Sequence, residues 1–144
     1  AKETGRLMAD LAREIRESGN PVEMPAAIVS GGETVVTFKE DGDGKGGPNQ
    51  EVALSFAIHA AGLEETTLVS IDTDGYDGPT PFAGAAADGH TLERLRENGI
   101  DAESELQRHN AAGAFGEIGA LIETGSTGNN LNDLRLLTVG TPMR

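Results

Sequence analysis

The stretch "EDGDGKGGPNQEVALSFAIHAAG", residues 40–62, places Gly42, Gly44, Gly46 and Gly47 just ahead of Pro48-Asn49-Gln50 and a run of alanines and aliphatics. Pro48 suits the first turn of a helix, and Glu51 sits favourably near its positive end. Val52, Ala53, Leu54, Phe56, Ala57 and Ile58 go almost all the way round that helix, from about Pro48 to Ala61, so it is expected to be buried. A glycine loop that opens a helix usually holds something anionic. Here Glu40, Asp41 and Asp43 make the loop itself negative, which raises the question of what such a loop could bind.

Working outward from this helix, Ala26–Ser30 and Thr34–Phe38 read as two short strands around Gly31-Gly32-Glu33, expected to pair as an antiparallel hairpin. Thr66–Ile71 reads as a central strand. Ala83–Ala87 is rich in small residues and of undecided state. Helices are expected over Thr91–Glu97, closed by Gly99, then after Asp101 with Glu103 and Glu105 in the first turn, and again over Ala111–Gly119. A strand near Leu121 and another over Leu134–Val139 complete the series. At the start, Leu7, Met8, Leu11 and Ile15 share one face of a helix that Gly19-Asn20-Pro21 stops. The organisation is a lead-in helix over residues 1–20 followed by a domain over 21–144. Strands alternating with helices make this an α/β protein, expected as a three-layer domain with a mixed β-sheet flanked by helices.

The chain has 144 residues, enough for one core, and with four Phe and one Tyr that core must be aliphatic and alanine-rich. No apolar run approaches membrane-spanning length, and no signal peptide is recognisable at the start. The absence of cysteine excludes disulfides and thiolate metal sites, and a reducing cytoplasm is the expected compartment. The net charge is −13, from 24 acids against 11 bases, a sign that disfavours nucleic acid and anionic membranes as partners. Lys2, Lys39 and Lys45 are the only lysines, a composition that fits either a salt-saturated cytosol or an ordinary acidic protein. Because the helical pattern begins at Ala1 with no initiator Met, the chain is expected to be a piece of a longer one.

Three loops share one character. "SGGET" leading to "DGKGGPNQE" is the first; "DTDGYDGPT", residues 72–80, and "TGSTGNNLND", residues 124–133, each follow a strand. Glycine with Asp or Asn is ordinary turn chemistry, but turns need two or three such residues and these loops carry many more. Glycine-loop N–H groups can form nests for phosphate oxygens, here at Gly46 and Gly47. Closely spaced carboxylates can hold Mg²⁺ together with substrate phosphates. Thr and Asn donate to phosphate or sugar hydroxyls, and Lys45 supplies a point charge. No G-x-x-x-x-G-K-[ST], dinucleotide fingerprint or G-x-S-x-G occurs. His59, His90 and His109 are read as structural, and Tyr76 as a lid or a turn residue.

Taken together and in order, "SGGETVVTF…GKGGPNQEVAL", "DTDGYDGPTPFAGAAADG" and "TGSTGNNLNDL" resemble the C-terminal domain of the glycerate 2-kinase family, the MOFRL domain, many of whose members are named as hydroxypyruvate reductases. The resemblance implies ATP- and Mg²⁺-dependent phosphorylation of D-glycerate to 2-phosphoglycerate, in a cleft between two α/β domains. It implies that this chain holds only the second domain, that the N-terminal domain with its catalytic lysine lies elsewhere in the polypeptide, and that the fragment alone is inactive.

Residue by residue, Glu33 matches the family's S-G-G-E glutamate, and Asn49, Gln50 and Glu51 match its N-Q-E. Asp74, Gly75, Asp77, Gly78, Pro79 and Thr80 match T-D-G-x-D-G-P-T. Thr124, Gly125, Thr127, Gly128, Asn130, Asn132 and Asp133 match the last loop. By this resemblance Asp74 and Asp77 are expected as metal or hydroxyl ligands and, with Lys45, as the catalytic groups of this domain. Asn49 and Glu51 would orient substrate, with Glu33, Gly46, Gly47, Gln50 and Thr80 beside them, while Thr124, Thr127, Asn130, Asn132 and Asp133 would hold phosphate. The chain departs from the pattern at Pro48, where most members carry an arginine, and at Pro81, Ser126 and Asn129, in place of an aspartate, a proline and a threonine. A reductase domain and a non-catalytic small-molecule binding domain are the alternative readings.

Overall fold

The computed structural model describes residues 1–37 and 44–140. The elements in chain order are α1 (Lys2–Ser18), β1 (Ala26–Gly32), α2 (Pro48–His59), β2 (Thr66–Asp72), β3 (Gly84–Asp88), α3 (Thr91–Glu97), α4 (Ala102–Gln107), α5 (Ala111–Glu117), β4 (Leu121–Ile122) and β5 (Asp133–Val139). Local chemistry accounts for their ends. Gly19 closes α1 in the left-handed conformation, and the Asp101 side chain accepts the backbone N–H groups of Glu103 and Ser104 to start α4.

α2 is the centre of the molecule. Asn49 through Ala57 are all buried, as an apolar pattern without a polar side requires. The helix lies on β2 and β3, with α1, α4 and α5 packed around it. One continuous core joins α1 (Ala9, Ala12, Ile15), α2 (Leu54, Phe56), Leu95, Phe115 and the sheet residues Leu68, Ala85 and Leu137. Burying a Phe or Leu side chain is worth about 1.5–3 kcal/mol, so α2 alone brings much of the fold's cohesion. Ala83–Ala87, undecided in the sequence, runs as strand β3. Alanine has low strand propensity, but Ala85 and Ala87 let α2 approach the sheet closely.

The sheet has five strands in the order β1-β5-β2-β3-β4. Every pairing among the described residues is antiparallel and the described helices lie on one face of the sheet, so the α/β class stands while the expected mixed sheet and third layer do not. The expected hairpin is also replaced. β1 pairs with β5, more than a hundred residues away, and Thr34–Thr37 is not strand; Phe38, its expected last residue, lies outside the described residues. The insertion of β5 between β1 and β2 sets the site. It aligns Gly32, Asp133 and Asp72 in one row, at the ends of β1 and β2 and the start of β5.

Candidate active site

From that row the three loops leave together, and the start of α2 meets them. Asn49 is the hub. Its side-chain amide donates to Asp77 Oδ1 at 3.2 Å and to Asp133 Oδ1 at 2.7 Å, and its carbonyl oxygen accepts from Ser70 Oγ at 2.6 Å. Asp133 Oδ2 in turn accepts from Thr34 N at 2.8 Å, from Thr34 Oγ1 at 3.0 Å and from the Arg135 guanidinium. Arg135 also donates to the Gly31 carbonyl at 3.3 Å, which ties the end of β1 and the Glu33–Thr34 segment to β5. Asp133 and Arg135 are both almost wholly buried. An ion pair so placed is retained only when the remaining polar atoms are bonded, and most here are.

Asp77 answers the question posed by the glycine loop. Its Oδ1 accepts the Asn49 N–H at 2.9 Å and its Oδ2 the Gln50 N–H at 2.8 Å, so it caps α2 from another loop. Gly47 N–H is taken by Gln50 Oε1 at 3.0 Å, and Gln50 Nε2 donates to Thr80 Oγ1 at 2.8 Å. The anion held at this helix start is therefore the chain's own carboxylate. A Cβ at Gly47 would come within 2.3 Å of the Asp77 carboxyl carbon, so only glycine admits the cap. Gly46 and Gly47, expected to cradle phosphate, are both buried here: Gly47 faces Asp77, and Gly46 faces His109 and Ala111.

Asp77, expected as a metal ligand, presents no open oxygen here for the same reason. The residue is 0% exposed and both its oxygens are engaged. Burial, only partly offset by the bonds from Asn49 and Gln50, pushes its carboxyl up to about 6 from 3.8. Glu51 is also buried, and its Oε2 lies 2.8 Å from His109 Nδ1; Gln50, Thr80 and Asp133 are scaffold too. Asn49 is 1% exposed, too deep to touch a substrate. Lys45 is exposed, but its backbone is tied to α5, through Asn110 Oδ1 at 3.0 Å and the Ala112 N–H at 2.9 Å, rather than to the other two loops.

What remains at the surface forms a rim. Glu33, Thr124, Thr127, Asn130 and Asn132 are exposed, and Asp72 and Asp74 are half-buried. The second and third loops are stitched together: Thr73 N donates to the Asn132 carbonyl at 3.0 Å, Thr127 N to the Asp74 carbonyl at 3.2 Å, and Leu131 N to Thr73 Oγ1 at 2.7 Å. Gly75, with φ 100°, lets the backbones touch, because a Cβ there would lie 2.0 Å from the Gly125 carbonyl oxygen. Asp74 Oδ1 accepts the Tyr76 N–H, and Asp72 Oδ1 the Asp74 N–H. Burial, then the nearby charges of Asp74 and Asp133, hold the Asp72 carboxyl above its usual value. Among the described residues no three acidic or histidine side chains gather to hold a metal ion by themselves, so a hard cation at Asp72 and Asp74 needs further oxygens, as phosphates supply for Mg²⁺.

Sequence reasoning missed Arg135, Thr34 and Ser70, and it counted Asp72 among the carboxylates of its loop without giving it a role of its own. Leucines fall on both faces of Asp133–Val139, so alternation alone does not mark Arg135 as inward; in the structure it shares the buried register with Leu137 and Val139.

Known proteins share this fold and much of this sequence. Glycerate 2-kinase of Pyrococcus horikoshii is 47% identical over 139 residues, spanning 96% of this chain and 31% of the relative. A protein of Agrobacterium vitis with a provisional hydroxypyruvate reductase name is 41% identical over 97% of this chain and 32% of its own length. The crystal structure of glycerate kinase from Thermotoga maritima superposes with a TM-score of 0.92 at 43% identity, covering 96% of this chain and 33% of that one. The chain thus spans about a third of the length of the relatives it matches. The profile of the MOFRL family matches residues 26–133, the stretch that carries all three loops and, Arg135 apart, their buried scaffold, and the chain belongs to that family.

Proposed function

We propose that this chain is the C-terminal lobe of a cytoplasmic glycerate 2-kinase, and that its exposed rim is one wall of the cleft in which D-glycerate is phosphorylated by ATP to 2-phosphoglycerate. The observation that carries the proposal is the register row Gly32–Asp133–Asp72, which brings three sequence-distant polar loops to one end of the sheet. Phosphoryl transfer needs positioning and charge stabilisation more than covalent chemistry from the protein. Thr127 and Asn130, in a frame their own hydrogen bonds fix, can donate to phosphate oxygens, and the exposed Glu33 can accept from glycerate hydroxyls. Asp74, with Asp72 beside it, would hold Mg²⁺ that arrives with the nucleotide phosphates, and the metal when bound would neutralise their charge. The cation missing at Pro48 is supplied by Lys45 or by the rest of the polypeptide.

The reductase name of one relative suggests a second reading, which the site's geometry disfavours. A dinucleotide pyrophosphate would seat on a helix start behind a glycine loop, and at α2 that place is filled by the Asp77 carboxylate. The test is an assay of the full-length polypeptide with glycerate, ATP and Mg²⁺, separating 2- from 3-phosphoglycerate. Formation of 2-phosphoglycerate by the full polypeptide and none by the 144-residue chain is expected; no glycerate-dependent ADP release from the full polypeptide would refute it.

A further inference from the structure

Among the described residues, helices cover only one of the sheet's two faces. On the other, cross-strand pairing lines up Val29, Leu136 and Val69 in one row, and Leu134, Ile71 and Ile122, with Gly84 between the last two, in the next. Val29 is 67% exposed, Leu134 39% and Leu136 37%. The only charged residue of the five strands that points this way is Asp88, at the far end of β3. In a chain of net charge −13, an apolar sheet face with a single charge at its far end is out of keeping with the rest of the surface. The Leu134–Ile71 row directly adjoins Asp133 and Asp72, so whatever covers this face also abuts the rim loops.

We propose that this face is the docking surface for the rest of the polypeptide, and that an apolar helix face from the remaining two thirds of the protein packs on Val29, Leu134 and Leu136. This rests on the reading of the chain as one lobe of a longer enzyme. The backbone beneath the face is already paired in ladders, so association there is side-chain packing, which the apolar stripe of a helix supplies. The relatives' excess length provides the occupant. Face-to-face pairing of two copies would instead bring two bodies of charge −13 together.

The chain has no cysteine, which makes the test direct. Val29→Cys, Leu136→Cys and, as a control on exposed α3, Arg96→Cys are made in this chain and in the full-length polypeptide, and maleimide labelling is followed peptide by peptide. Rapid labelling of all three in the 144-residue chain is expected. In the full polypeptide, labelling at 29 and 136 should slow at least about ten-fold, as local opening limits access, while position 96 is unchanged. Equal rates in the two proteins overturn the proposal. Slow labelling in the short chain, running at twice its 14.9 kDa in sedimentation, also overturns it and assigns the face to a second copy. Glycerate phosphorylation is measured on the same samples: protection without activity upholds the docking face and counts against the kinase reading alone.

Discussion

Asp77 accepts the Asn49 N–H at 2.9 Å across 28 positions of sequence, and so places a carboxylate where a helix start would otherwise receive a ligand's anion. The same residue is wholly enclosed, with its carboxyl pushed up to about 6. A carboxyl whose folded-state pKa lies above its unfolded value binds more protons in the folded state. Its contribution is therefore fullest below pH 3.8 and is lost as pH rises through about 6. Relative to Asp77→Asn, the wild-type chain should lose about 2 kcal/mol of stability between pH 4.5 and 7.5. Urea unfolding of both proteins across that range checks it; parallel pH profiles would show that Asp77 does not titrate in this way.

Arg135 holds Asp133, and through it Thr34 and the segment that carries Glu33. Arg135→Met leaves a buried carboxylate without its cation and should cost about 3–5 kcal/mol. Arg135→Lys keeps the charge but not the fork that reaches Asp133, Thr34 and Gly31 together, so it should recover only part of this loss. Equilibrium unfolding in urea measures both variants.

These two residues show where sequence reasoning reached and where it stopped. The run from Val52 to Ile58 announced a buried helix, and the Asp101 cap and the Gly19 stop were visible in the order of residues. The partner of β1 was not, because no local signal tells a strand to pair with one a hundred residues later in preference to its neighbour. The three loops were recognisable as a set, but an aspartate in a turn reads the same whether it faces solvent, as Asp74 partly does, or caps a helix as Asp77 does. Burial separates scaffold from rim, and burial is a property of the assembled row.

Gly75 and Gly125 provide a paired test of how the second and third loops meet. Both have positive φ, but an added Cβ at Gly75 strikes the Gly125 carbonyl oxygen, while at Gly125 it meets open space. Gly125→Ala should cost about 1–2 kcal/mol for the left-handed backbone alone. Gly75→Ala should cost more and separate the loops, read as a larger fall in melting temperature and as new protease cleavage within residues 124–132.

The central claim is that the buried carboxylate builds the site and the rim carboxylate works in it. It is tested most directly by Asp74→Ala and Asp77→Ala in the full-length polypeptide, with turnover of glycerate and stability in urea measured on each. Asp74→Ala should change stability by less than about 1 kcal/mol and lower turnover by about ten-fold or more. Asp77→Ala, which leaves two helix N–H groups and the Asn49 amide without their acceptor, should lose about 2–4 kcal/mol of stability. Wild-type turnover in Asp74→Ala, or an Asp77→Ala protein as stable as the wild type, would contradict the account.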